Sequence, residues 1–163
     1  MNLQEQFKSI VQSLGSNNDE MIQQAQNEYI NLVSEFREEL AFIHFDLINP
    51  ENEQDSIKIL VFLGIYFTIL YNEDIVIDEN SYEDIQMSLF LLFQDESFNQ
   101  HQFDIISNVI FKAARYFQGH WPQLPENLCQ LINHYNPFIV SSATECLSDC
   151  INKGYLDIKP FYD

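Results

Sequence analysis

Apolar residues recur along this chain every three or four positions, the spacing of one face of an α-helix. Leu3, Phe7, Ile10, Val11 and Leu14 form a first stripe, closed by Gly15. Asn17 and Glu20 have the spacing of a capping box. A second stripe follows at Met21, Ile22, Ala25, Tyr29, Leu32, Val33 and Phe36. A third helix is predicted from about Arg37 to Ile48, and it stops at Asn49-Pro50 because a residue before proline avoids helical backbone. Ile57 to Tyr71 is apolar almost all round. Its Ile, Val, Phe and Tyr content would suit strands, but its length without a breaker favours a central, buried helix. Glu73 to Glu79 is an acidic loop. Three more helices are predicted: Ser81 to Phe93, Gln100 to Gln118, and one opening at Trp121-Pro122, since proline suits a first turn. An eighth begins at Asn136-Pro137 and is capped by Gly154.

The chain thus reads as all-α, eight helices in four antiparallel pairs, over approximately 1–36, 37–72, 81–119 and 121–154. The second helices enter their apolar stripes near Ile22, Ile57, Phe103 and Ile139, steps close to the period of about 40 residues of helix-pair repeats. A lone pair cannot bury its apolar side and must stack on its neighbours. That predicts an α-solenoid of HEAT-like pairs forming one domain over 1–163. A globular eight-helix bundle is the alternative, because periodicity does not distinguish the two.

Charge sharpens the choice of partners. The 163 residues carry 25 Asp+Glu against seven Lys+Arg, a formal charge of −18. With 46% apolar and 14% aromatic residues the chain is nonetheless too hydrophobic to stay disordered. Such acidity argues against direct binding to nucleic-acid phosphates or an anionic membrane surface, which need a positive face. It suits a basic protein partner, above all through the stretch Glu51–Glu96, where Lys58 is the only basic residue. The plainer reading of that stretch is a solvated surface. No secretory leader is read in MNLQEQFKSI. The longest apolar run, Ile59–Tyr71, falls short of the about 20 residues a membrane span needs.

Candidate chemistry is sparse. Gly64 and Gly119 stand alone, so no phosphate-cradling loop is expected, and His44, His101, His120 and His134 fall in different predicted elements. Cys129, Cys146 and Cys150 are too few and too odd for a disulfide framework, which favours a reducing compartment. Cys146 and Cys150, four apart on one helix face, could share a zinc ion. Both lie on the apolar stripe, where a free Cys is ordinarily core. No catalytic residue, metal or cofactor is predicted.

Three stretches resemble the amino-terminal HEAT repeats of the importin-β (karyopherin-β) nuclear transport receptors. They are Ala25-Gln-Asn-Glu-Tyr-Ile-Asn-Leu32, the Phe42–Leu47 helix with its Asn49-Pro50 loop and Ile57–Leu70, and Ile105-Ile-Ser-Asn-Val-Ile-Phe-Lys-Ala-Ala114 followed by Trp121-Pro122-Gln-Leu124. The likeness spans the chain but only the amino-terminal part of such a receptor. It departs at Thr68–Asp74, where the family carries basic residues and a Trp. The resemblance implies an armadillo-like helical solenoid active in protein transport between cytoplasm and nucleus. It implies Ran GTPase in its GTP form on the concave face, and basic protein cargo.

In a HEAT solenoid the second helices line that concave face. Residues opposite the apolar stripes, at 100° per residue, are Glu20, Asn27 and Asn31 in the first pair. The third pair supplies Asp104, Asn108, Lys112 and Arg115, and the fourth Ser141, Glu145 and Asn152. The second pair offers no clear polar side, so its helix is either wholly buried or partly a hydrophobic contact surface. A free-standing HEAT scaffold or adaptor, with unrelated partners, is the competing functional reading.

Overall fold

Asparagine side chains start five of the helices. Asn2, Asn18, Asn52, Asn99 and Asn136 each accept hydrogen bonds from backbone N–H groups of the following turn. Asn is among the best residues for this, because its short carbonyl reaches donors the helix leaves unpaired. Asn2 with Glu5, and Asn99 with Gln102, complete reciprocal capping boxes. The second helix is capped by Asn18 rather than Asn17.

The computed structural model describes residues 1–156; the end of the tail, 157–163, lies outside the described residues. The elements are α1 (Leu3–Leu14), α2 (Asp19–Leu47), α3 (Glu53–Asn72), a 3-10 turn (Glu79–Ser81), α4 (Tyr82–Gln94), α5 (Gln100–Tyr116), α6 (Leu124–Ile132) and α7 (Pro137–Asn152). The described residues contain no strand, so the alternative of strands over Ile57–Tyr71 falls.

Among the described residues, seven α-helices replace the eight expected. The predicted second and third helices run on as α2, because neither glycine nor proline separates their stripes. They part only at Arg37, whose backbone (φ 39°, ψ −112°) leaves the helix. A side chain rarely adopts positive φ, which costs on the order of 1–3 kcal/mol. Tertiary bonds offset that cost. The Tyr66 hydroxyl donates to the Arg37 carbonyl at 3.1 Å. The Arg37 guanidinium donates to the carbonyls of Ser34 at 3.2 Å and Val76 at 2.8 Å. A second boundary also differs: α6 begins at Leu124 with Pro125 in its first turn, while Trp121 is buried against Phe117 in the preceding turn, ring centroids 5.8 Å apart.

Packing is serial. α2 lies on α3, α3 on α5 and α5 on α7, while α1 covers α2 and α6 covers α7. α4 touches α5 more sparingly and makes smaller contacts still with α2, α6 and α7. α3 is the spine because Leu60, Leu63, Tyr66, Phe67 and Leu70 are all buried. By length and composition α3 could cross a membrane, but half of its apolar window is buried within the fold. The loop after α3 is strapped down. Tyr116 donates its hydroxyl to the Ile75 carbonyl at 2.8 Å and accepts from the Ile77 N–H at 3.2 Å, and Ile77 is buried.

Candidate protein-binding face

α3 is apolar almost all round, yet one side of it faces solvent. Lys58, Val61, Ile65 and Thr68 follow a three-four-three spacing and so share one stripe. Val61 is 45% and Ile65 38% exposed. The second pair's helix is therefore not wholly buried; part of its apolar surface is exposed. A lone Lys in an apolar helix was the sequence signal for that side, because its ammonium must reach water.

The stripe is bordered by α2 and α5. On the α2 side, the Tyr29 hydroxyl lies 3.0 Å from the carbonyl of Phe62. Ile30 and Val61, next in chain to that pair, are both exposed. On the α5 side, Gly64 gives the approach. The place a Cβ would occupy is 3.7 Å from Lys112 Cδ and Nζ and from Val109 Cγ2. The Lys112 stem therefore lies across the bare backbone of Gly64, with its ammonium beside the turn that carries Val61, Ile65 and Thr68. Further along, the Arg115 guanidinium sits 4.1 Å over the Tyr71 ring, a cation–π contact. Its Nε is buried and has no hydrogen-bond partner among the described residues.

The predicted face residues divide into groups. Asp104 joins α5 to α7: the Ser142 hydroxyl donates to its carboxylate at 3.1 Å, and the Gln100 amide donates at 2.7 Å. Asn108 is exposed on α5, and Ser141, Glu145 and Asn152 are exposed on α7. On α2, Glu20 and Asn27 are exposed, and Asn27 accepts from the Gln23 amide at 3.4 Å. Asn31 instead lines a groove with Gln6, Ser9 and Ile10 of α1, away from α3. The sequence singled out Lys112 and Arg115 as concave-face residues of the third pair, but not Ile30, Val61, Ile65 and Tyr71. Helical spacing marks an exposed position as polar, and these four are apolar.

Most carboxylates of Glu51–Glu96 lie elsewhere. Asp78 and Glu79 are in the loop and 3-10 turn, and Glu83 and Asp84 open α4, outside the α2–α3–α5–α7 series. Glu53 and Asp55 stand at the start of α3 and Glu73 just past its end.

No protein-family model, curated protein or solved structure matches this chain.

Two further titratable groups lie in the core. His44 is fully buried, its Nδ1 2.6 Å from the Leu40 carbonyl and its Nε2 2.8 Å from the Tyr29 hydroxyl. Burial pulls its pKa from the ordinary 6.5 to about 4. The Cys146 thiol is pushed up, first by its hydrogen bond with Cys150 and then by burial, so it is held as a neutral core group. Among the described residues no three metal-ligating side chains converge.

Proposed function

We propose that this chain is a non-catalytic helical scaffold, a stack of HEAT-like pairs whose α2–α3–α5–α7 side holds another protein. One observation carries the reading. The exposed stripe of the central helix keeps Val61 and Ile65 in water although Leu60, Leu63, Tyr66, Phe67 and Leu70 of that helix are core. An apolar stripe rimmed by polar and charged side chains is the usual anatomy of a contact surface. The serial contacts of α2, α3, α5 and α7 support the stacked arrangement, since each second helix then meets only the next.

The transport-receptor reading is the narrower form of the same proposal. It places GTP-loaded Ran on this side, makes basic cargo the second ligand, and assigns the chain to cytoplasm and nucleus. What supports it is the sequence resemblance, together with the exposed positions of Asn108, Ser141 and Glu145 on α5 and α7. Retention of Ran-GTP but not Ran-GDP on the immobilised chain, lost in Val61→Asp/Ile65→Asp, is the expected result. Equal or absent retention of the two nucleotide forms removes Ran and leaves the scaffold reading. Hydrogen exchange then tests the scaffold itself: a partner must slow amide exchange along the exposed side of α3 and α5.

A further inference from the structure

Three of the chain's seven basic residues, Lys58, Lys112 and Arg115, border one exposed apolar stripe on a protein of net charge −18. From that juxtaposition we propose that the α3–α5 seam docks an acidic amphipathic segment of a partner protein, its apolar side chains on Val61 and Ile65 and its carboxylates on Lys58, Lys112 and Arg115. This deepens the scaffold reading and rests on it. It reverses the sign of partner that the overall charge suggests.

Charge complementarity decides the occupant. The acidic surface as a whole repels an acidic segment, but screening limits that field to about 8 Å at physiological ionic strength. Lys112 reaches the middle of the seam, against Gly64. The carboxylates of α3 are gathered at its ends, as Glu53, Asp55 and Glu73. Asp104 is engaged by Ser142 and Gln100.

The state of Arg115 is the second observation. Its guanidinium is planar, and the Tyr71 ring covers one face at 4.1 Å. The ring offers no lone pair to an N–H, and Nε is left without an acceptor among the described residues. Arg115 as a whole is only partly buried, and a guanidinium binds carboxylates through paired N–H donors. Lys112 is prepared in a different way. The lysine stem lies along α3 at Gly64 and brings its ammonium beside the apolar stripe. Apolar contact and charge pairing then fall within one helical turn of each other, which fits an amphipathic helix with carboxylates flanking its apolar stripe.

The test uses the whole chain and three fluorescein-labelled amphipathic 20-residue peptides that differ only in their polar residues: Glu, Gln or Lys, each with the same leucine stripe. Anisotropy is read at low and at physiological salt, and bound amides are mapped by hydrogen exchange. The Glu peptide is expected to bind about tenfold tighter than the Gln peptide, to protect α3 and α5, and to weaken as salt rises. Lys58→Glu/Lys112→Glu should weaken it about tenfold, whereas Lys8→Glu/Lys153→Glu, the same charge change off the seam, should leave it unchanged. Lys58 is exposed, so Lys58→Glu alone keeps the test decisive if the double variant unfolds. Failure of the Glu peptide to bind, or equal weakening by both double variants, overturns the proposal. If the Lys or Gln peptide then protects α3 and α5, the scaffold face survives and only its acidic preference falls. If no peptide protects them, both readings fall together.

Discussion

The hydroxyl of Tyr29 stands 2.8 Å from Nε2 of His44, inside a cage completed by the rings of Phe7 and Tyr66. Three elements meet there, since the same hydroxyl is 3.0 Å from the Phe62 carbonyl of α3. The Leu40 carbonyl can only accept, so Nδ1 carries the proton of the neutral ring and Nε2 presents a lone pair. The single Tyr29 proton is then shared between His44 and Phe62. Protonating His44 would let both ring nitrogens donate and free the Tyr29 proton for Phe62. Burial without a carboxylate partner opposes that charge and sets the pKa at about 4.

Acid should therefore loosen the α1–α2–α3 junction. The unfolded chain takes up a proton at His44 near pH 6.5, and the folded chain only near pH 4. Between those values the unfolded state binds more protons, so stability falls as pH drops, by about 3 kcal/mol once pH 4 is passed. Urea titrations of the parent chain and His44→Gln across this range should give a stability difference that shrinks by that amount. Parallel curves would remove His44 as the cause.

Tyr29→Phe should cost about 1–3 kcal/mol at pH 7, because it leaves the buried Nε2 of His44 without its donor. Urea midpoints measure it directly. A loss smaller than the scatter of the titration would mean that the hydroxyl contributes nothing net.

Arg37 and Tyr116 should govern the loop after α3. Arg37→Ala removes the donor to Val76, and Tyr116→Phe removes the acceptor of the Ile77 N–H and the donor to Ile75. Amide exchange at residues 75–78 should accelerate in both variants, most at Ile77 in Tyr116→Phe, with the amides of α5 unchanged. An unaltered Ile77 rate would show that packing alone holds the loop.

Gly64→Ala should stabilise the chain. The added methyl meets Lys112 and Val109 at ordinary contact distances of 3.7 Å, and glycine inside a helix costs about 0.5–1 kcal/mol relative to alanine. A rise in Tm of the variant checks this. A fall would mean that the lysine stem cannot yield.

A thiol reagent should label one cysteine in the folded chain and three in denaturant. Cys129 is only half-buried, whereas Cys146 and Cys150 are enclosed in the core. Rapid labelling of Cys146 in the native state would contradict the packing of α5 on α7.

The sequence alone settled the helical class and most helix limits. The three-and-four spacing is local, and so are its terminators: Asn136 and Pro137 start α7, and the Asn49-Pro50 loop follows α2. It also settled most of the core, because Phe103, Ile106, Ile110, Ala113 and Ala114 lie on one stripe and all are buried. Arg37 was legible as the place where one stripe gives way to the next, but not as a kink inside a continuous helix. That depends on Tyr66 and Val76, which are distant in sequence. The exposed side of α3 was likewise decided by tertiary structure. Its stripe is apolar, so periodicity could not mark it, and only the positions of α2 and α5 on either side leave Val61 and Ile65 in water. Local spacing determines which residues are able to pack. Which of them remain uncovered depends on the order in which the helices stack, and that order is a property of the whole chain.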